Sequence, residues 1–575
     1  MASTIAMFTG LSGLNANARS LDVTGNNIAN VNTTAFKSTR LAFASQFSRN
    51  LGLGSAPNGD TGGSNPRQVG LGVTIAGTQR NFGIGSLSAT GSQSDMAIGG
   101  DGFFIVDRGG SDRLFTRSGA FTSNSERQLI TATGERVLGW GIDDNFQVDR
   151  SALVPIAIPL GELRIAEATE NVRMGGTLNN AESSVVATSG TRIALGAMTD
   201  TSGPIATTSL VTNLRNLAGN PIAAVGDTLT LDKPKKGGLE LPSRSLEITA
   251  TTTLQDVMNF FAASLGIQAT GANPDGFTPG VSLDALTGVV TIVGNTGVDN
   301  GLGLTPQEIQ VRTPAGTTAS DRFSLTRVAE ANGESAFKEF SAFDTLGNEV
   351  KVNITLTLVS RGPTGSTWRY ETNSPGDTDG DPRIASGTIS FDTAGRVIGD
   401  GKISVSVNRA AVGAGEPLLF SLDLSRTIAA ANPAVNGGNT TGPRSTLSTL
   451  GRDGSPLGTL TNFAVGADGT IVGSFDNGLT RTIGQVAIAA FANPAGLIDA
   501  GQNLFQVGAN SGNPNTVVPG EGGTGGIVAG SLELSNVDLS NEFINLILAS
   551  TGYSASSRVI STSDQLLQQL LTIGR

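Results

Sequence analysis

Residues 7–31 read Met7-Phe8-Thr9-Gly10-Leu11-Ser12-Gly13-Leu14-Asn15-Ala16-Asn17-Ala18-Arg19-Ser20-Leu21-Asp22-Val23-Thr24-Gly25-Asn26-Asn27-Ile28-Ala29-Asn30-Val31. Met7, Leu11, Leu14, Ala18, Leu21, Gly25 and Ile28 follow one another in steps of four and three, and Val31 takes the next position. That is a heptad seam, and it predicts a helix with one apolar stripe. Gly10, Gly13 and Gly25 lie inside the helix and each costs about 1 kcal/mol relative to Ala. A lone helix of this kind is marginal in water. The far end of the chain offers a partner, because Phe543, Leu546, Ile547, Tyr553, Ile560, Leu567, Leu570 and Leu571 form a second stripe. Both ends are expected to order when they pack together. A pair of ordinary terminal helices folded onto their own domain is the alternative.

The words around the two stripes carry a resemblance. Ser12-Gly13-Leu14-Asn15-Ala16, Leu21-Asp22-Val23, Asn26-Asn27-Ile28-Ala29-Asn30, Asn32-Thr33 and Phe36-Lys37-Ser38 resemble the N-terminal signature of the bacterial flagellar rod and hook family. Ser535-Asn536-Val537-Asp538-Leu539-Ser540, Tyr553, Ile560, Thr562, Asp564 and the run from Leu566 to Leu571 resemble its C-terminal signature. In that family the two ends pair as helices lining the core of a tubular polymer. The resemblance therefore implies a self-assembly set made of Met7, Leu11, Leu14, Leu21, Ile28, Val31, Phe543, Leu546, Ile547, Tyr553, Ile560, Leu567, Leu570 and Leu571.

Composition narrows the function classes. The chain has 575 residues, enough for three or four domains. Its 78 glycines are about twice the usual share, and aromatics make up only 5%. With short apolar alternations, this predicts a β-rich, turn-rich protein. A sparsely charged chain of net charge −11 is not a nucleic-acid binder. The first 50 residues run the other way, with Arg19, Lys37, Arg40 and Arg49 against Asp22, an excess that suits an acidic neighbour or plain solvation. There is no Cys and no His, which removes disulfides, the common zinc sites, thiol nucleophiles and imidazole acid–base chemistry. No run reaches 18 apolar residues, so no membrane insertion is expected, and no basic n-region precedes an apolar core, so no cleaved signal is expected.

Further along, residues 36–69 read as an extended linker, with Gly, Ser, Asn and Pro clustered over 50–66. Val73, Ile75, Met96, Ile98 and the run from Phe103 to Val106 read as short strands. The stretch from Gly99 to Val106, then Phe115-Thr116-Arg117-Ser118-Gly119 and Leu138-Gly139-Trp140, again resembles the family. So do Asp468-Gly469-Thr470, Phe475-Asp476-Asn477-Gly478, Ile483-Gly484-Gln485-Val486-Ala487 and the run from Phe491 to Leu497. Asp-Gly and Asn-Gly there mark hairpin turns. A nested plan follows: 1–35 with 536–575 as a helical polymerisation domain, 70–158 with 446–535 as a β domain, 159–184 with 336–445 as a second β domain, and 185–335 as an inserted outer α+β domain. Within the second β domain Val350, Val352, Ile354, Leu356 and Leu358 alternate as a half-buried strand. In the insertion, Thr252 with Gln255 reads as the capping box of a helix carrying Leu254, Val257, Phe261 and Leu265 and stopped by Gly266.

Little suggests catalysis. Asp377, Asp379 and Asp381 begin like a calcium loop, but Pro382 stands where Gly is needed and Thr388 where Glu is needed. The Gly520 to Gly526 cluster lacks the Lys of a phosphate loop and reads as linker. Trp140 and Trp368 read as core. No metal or cofactor is expected. The fold class is mainly β and multidomain, with nested β domains and terminal helices pairing in a coiled-coil-like way. The resemblance implies a non-enzymatic subunit that polymerises with itself into a curved, flexible, hollow extracellular tube, transmitting torque from motor and rod to filament. It also implies contacts with rod proteins, the hook–filament junction proteins, the hook cap and the type III export apparatus. A straight distal-rod shaft is the runner-up, and a secreted β-rich adhesin or surface binding module the reading from another class.

Overall fold

The computed structural model describes residues 2–60, 62–109, 112–430 and 444–573. Among the described residues the chain is mostly β, with three α-helices: α1 (Ala2–Ala29), α2 (Leu254–Ser264) and α3 (Leu539–Ile573). It divides into two compact units. The inner unit joins both ends, 1–163 with 459–575, and the outer unit is 164–458.

The stretch after α1 departs from the linker reading of 36–69. Four strands, β1 (Thr39–Ser45), β2 (Ser48–Gly52), β3 (Arg67–Gly70) and β4 (Val73–Arg80), fold back as one antiparallel ribbon. β1 pairs with β4 from Thr39↔Arg80 to Ser45↔Val73, and β2 with β3 from Ser48↔Gly70 to Gly52↔Arg67. A Ser55↔Ser64 bridge continues the pairing toward the tip. The Gly, Pro and Asn residues that suggested a loop cluster at that tip. The pairing joins segments far apart in sequence, so a local reading misses it. Val73 and Ile75 accordingly belong to the ribbon rather than to the β domain.

In the inner unit the two distant β stretches share one sheet. Phe103–Asp107 pairs with Arg113–Thr116 and with Ile488–Ala490, and Arg136–Ile142 pairs with Thr480–Val486. Phe103, Ile105, Phe115, Trp140, Ala487 and Phe505 form the core beneath it. Phe103 meets Phe82, Phe491 and Phe505 edge to face, a favourable arrangement for ring quadrupoles.

Among the described residues of the outer unit two cores stand out. One lies among the strands Asn171–Asn179, Leu418–Ala430 and Thr446–Arg452 and the meander Ser335–Phe343, Glu349–Gly362, Gly365–Asn373 and Arg383–Phe391, with Trp368 fully buried in it. Val350 to Leu358 alternate into this core, but Thr355 and Thr357 on the opposite face are buried too. The strand is therefore covered on both sides, where alternation alone predicts one: Thr357 donates to Thr296 O of the 185–335 segment at 3.2 Å. The other core is α2 and the strands around it, with Leu254, Val257, Met258 and Phe261 inward. The cap of α2 sits one residue later than expected. Thr253 is the N-cap, with Asp256 completing the box, while Thr252 turns its hydroxyl to Thr249 N. Both Thr-x-x-acceptor words fit the pattern. The carboxylate at N3 interacts better with the helix dipole than the Gln255 amide would.

Candidate functional site

The two ends meet as antiparallel helices, and the residues at their interface are small. A Cβ built on Gly10 would lie 3.0 Å from Ile560 Cγ1 and 3.3 Å from Val559 Cγ1, and one on Gly13 would lie 2.9 Å from Ser556 Oγ. One on Gly552 would lie 2.7 Å from Asn17 Oδ1. Asn27 Nδ2 donates to Glu542 Oε1 at 2.9 Å. Thr24, Asn27, Ala549 and Ser563 are buried. The face of α1 turned to α3 thus runs through Gly10, Gly13, Asn17, Thr24 and Asn27, each one residue before Leu11, Leu14, Ala18, Gly25 and Ile28 of the predicted seam. On α3, Gly552 precedes Tyr553, while Ile560 of the predicted stripe itself meets Gly10. One residue turns a helix by about 100°. The expectation that the two apolar stripes face each other is therefore corrected for α1: the backbones approach closely over glycine, and of the α3 stripe Ile560 meets that face while Phe543, Ile547 and Tyr553 are turned aside.

Five of the fourteen predicted assembly residues consequently stay exposed. Leu11 is 47% exposed, and Phe543, Ile547, Tyr553 and Leu571 are exposed too. Met7, Leu14, Leu21, Ile28, Val31, Leu546, Ile560 and Leu567 are half-buried, while the Leu570 side chain lies outside the described residues. Phe8 at 70%, together with Ile544 and Leu548, is equally bare and falls outside the strict heptad positions, which is why the period overlooked it.

The roots of both helices are tied to the inner unit. Ala35 N donates to Glu533 O at 2.8 Å, Ser38 N to Asn536 Oδ1 at 2.8 Å, and Asn536 Nδ2 to Asn81 O and Gly83 O. Thr39 N donates to Asn27 Oδ1, and Asn27 Nδ2 also reaches Thr39 O. Lys37, one of the basic residues that suit an acidic neighbour or plain solvation, is buried. Its Nζ donates to Glu533 Oε1 at 2.6 Å and Gly83 O at 2.8 Å. Arg117 Nε donates to Glu533 Oε2 at 3.0 Å. Burial pulls Lys37 below the ordinary lysine value against the pull of Glu533. Burial pushes the Glu533 carboxyl up, but Arg117, Lys37 and the Gly85 N–H outweigh it and hold it below the usual range. Lys37 and Arg117 each stood in a family-like word, and only the fold brings them together.

The acidic run is occupied by its own backbone. Asp377 Oδ1 accepts from Asp379 N, Asp379 Oδ1 from Asp381 N and Asp381 Oδ1 from Arg383 N, while Arg383 also pairs with Asp381 through its side chain. Among the described residues no cluster of three His, Cys, Asp or Glu is placed to hold a metal, and no helix is long and apolar enough to cross a membrane.

Comparison with known proteins adds three matched families. Residues 7–37 match the flagella basal body rod protein family, 97–194 the flagellar hook protein FlgE/F/G D1 domain, and 528–573 the flagellar basal body rod FlgEFG protein C-terminal family. Along its whole length the chain is similar to the flagellar hook protein FlgE of Treponema pallidum, 29% identical with 99% of each chain covered. The protein of the same name from Borreliella burgdorferi is 26% identical, again with 99% of each covered. The one from Escherichia coli K12 is 24% identical over 99% of this chain and 100% of that one. The crystal structure of Helicobacter pylori flagellar hook protein FlgE2 aligns with 76% of this chain and 98% of its own at 17% identity, with a TM-score of 0.35.

Proposed function

We infer that the chain is a flagellar hook protein, a structural and non-enzymatic subunit of the bacterial flagellum. It polymerises with itself through the paired terminal helices into a curved, flexible, hollow tube that carries torque from the rod to the filament. The observation that carries the reading is the offset seam. Because α1 and α3 pair over glycine and serine, Phe8, Leu11, Phe543, Ile544, Ile547 and Leu548 remain on the outside of the pair. Burying a side chain of this size stabilises by about 1.5–3 kcal/mol, and exposed apolar side chains grouped at each end of the pair mark interaction surface. Further copies of the same helix pair are the cover that a tube supplies. The assembly set is the fourteen stripe residues named from the sequence, with Phe8, Ile544 and Leu548 added.

The same reading places the protein in the extracellular hook, reached through the flagellar type III export apparatus. The rod, the hook–filament junction proteins and the hook cap are its neighbours. The full-length relatives named above are hook proteins, which favours the hook over the distal rod. Electron microscopy of the purified, assembled chain is the test. A curved hollow tube is expected. A straight tube would indicate a rod subunit, and no polymer would leave the adhesin reading. Phe8→Asp with Ile547→Asp should abolish tube growth while the melting of the β units stays put, because both side chains are solvated in the single chain.

A further inference from the structure

We propose that Lys37, Glu533 and Arg117 form a positioning joint that sets the direction in which the paired terminal helices leave the inner β domain, so that assembly depends on it more than folding does. The proposal rests on the reading that the helices polymerise. Three chain segments converge here: Lys37 follows the end of α1 at Ala29, Glu533 precedes the start of α3 at Leu539, and Arg117 follows the strand Arg113–Thr116. The side chains of Lys37, Glu533 and Arg117 are only 1%, 0% and 3% exposed. Each bond has its own direction. Glu533 Oε1 takes Lys37 and the Gly85 N–H at 2.9 Å, Oε2 takes Arg117, and Arg117 Nη1 continues to Gly100 O and Gly102 O at 2.7 Å.

Such a cluster is poor value as glue. Desolvating three charges costs much of what their attraction returns, and well-packed apolar residues often stabilise as well or better. Its distinctive property is geometric, since charge-assisted bonds of fixed direction are satisfied in one arrangement only. The backbone agrees: Ala35, in the left-handed region at φ 58°, donates to Glu533 O, so a single residue holds the outgoing chain by both its carbonyl and its carboxylate. Leverage makes the angle matter. The 28 residues of α1 span about 42 Å at 1.5 Å each. A tilt of about 10° at the root would move the far end by about 7 Å, close to the 8–10 Å spacing of packed helices. A loosened root would therefore put the apolar stripes out of register with neighbouring copies without touching the β core.

The test uses the full chain and two variants, Glu533→Gln and the apolar triple Lys37→Met/Arg117→Met/Glu533→Leu. Tube elongation on wild-type seeds and melting of the inner unit, followed at Trp140, are measured together. Both variants are expected to raise the critical concentration for elongation at least tenfold, and the triple variant to melt within a few degrees of wild type or above it. Elongation of the triple variant at the wild-type critical concentration would overturn the joint. So would a loss of elongation that only tracks a fall in melting temperature. A second readout does not need tubes. Spin labels at Asn145→Cys in the inner unit and Ser554→Cys on α3, both exposed, should give a narrow distance distribution in the wild-type background and a broad one with Glu533→Gln. An equally narrow distribution would overturn the joint. Tubeless wild type with this broadening would instead count against the polymer reading alone.

Discussion

A Cβ on Gly10 would lie 3.0 Å from Ile560 Cγ1, so the two terminal helices touch at a point where any larger residue would press on Ile560. Read from the sequence, this glycine is a cost to the helix. In the fold it is the contact that allows the backbones to approach. Gly25 is different, because nothing lies within 4 Å of the Cβ it lacks. Gly10→Leu should separate the helices and lower the helical signal of the full chain. Gly25→Ala should stabilise α1 by about 0.5–1 kcal/mol and leave pairing intact. Far-UV circular dichroism during melting checks both. Equal behaviour of the two variants would contradict the seam.

Acid should strengthen the outer unit before it weakens the inner one. Burial pushes Glu371 up to about 6 from 4.5, against Lys236, Arg369 and the Asn300 amide, which donates to it at 2.9 Å. The folded carboxyl therefore takes its proton first as pH falls, and stability rises between about 6 and 4.5. At about 1.4 kcal/mol per pKa unit the gain is at most about 2 kcal/mol. Glu135, in the inner unit, runs the opposite way. Burial pushes it up, but the Thr131 and Thr133 hydroxyls and Arg108 outweigh that and hold it at about 2, so its contribution is lost only as pH falls from 4.5 toward 2. Urea unfolding at pH 7 and pH 5 separates the two, since Trp140 reports the inner unit and Trp368 the outer. Trp140→Phe isolates the outer signal, and Glu371→Gln should flatten its pH response.

Calcium should leave the protein unchanged. The three carboxylates that begin like a calcium loop each already accept from the backbone amide two residues on, and Asp377 Oδ2 also takes Asn408 N at 3.0 Å. A cation would have to displace those bonds without the Glu that normally closes such a loop. Melting curves with millimolar calcium and with a chelator should superimpose. A shift of several degrees would mean that an oxygen site forms after all.

The outer segment should be removable at its neck. Asn332 Oδ1 accepts from Thr188 N and Ser189 N, and a Cβ on Gly333 would fall 2.3 Å from that of Ala187, so the two crossings run side by side. Joining Ala187 to Gly333 through two glycines removes a piece with its own core. The shortened outer unit should melt lower, because Thr355 and Thr357 lose their cover. The inner unit should keep its melting temperature, and tubes should still form. Loss of the inner transition would show that the piece supports more than its own neck.

Local pattern made much of the chain legible. The strict alternation of Val350 to Leu358 is a strand, Gly266 in the left-handed region at φ 58° ends the α2 region, and Asn477-Gly478, with Gly478 at φ 84°, makes its turn. Each of these is decided by residues within a few positions of one another, through pleat, cap or turn geometry. The apolar stripes at the two ends were legible for the same reason.

What the stripes would face was not. Sequence determines which side of a helix is apolar. It does not determine whether that side is covered by the chain's own other end or left for another molecule, because that choice depends on how closely two backbones can approach. Gly10 and Gly13 settled it in the tertiary structure by admitting the partner helix one residue away from the α1 stripe. The ribbon of residues 39–80 and the meeting of Lys37, Arg117 and Glu533 were hidden likewise. Their partners lie tens to hundreds of residues apart, and no short-range period records a contact that exists only once the chain has closed on itself.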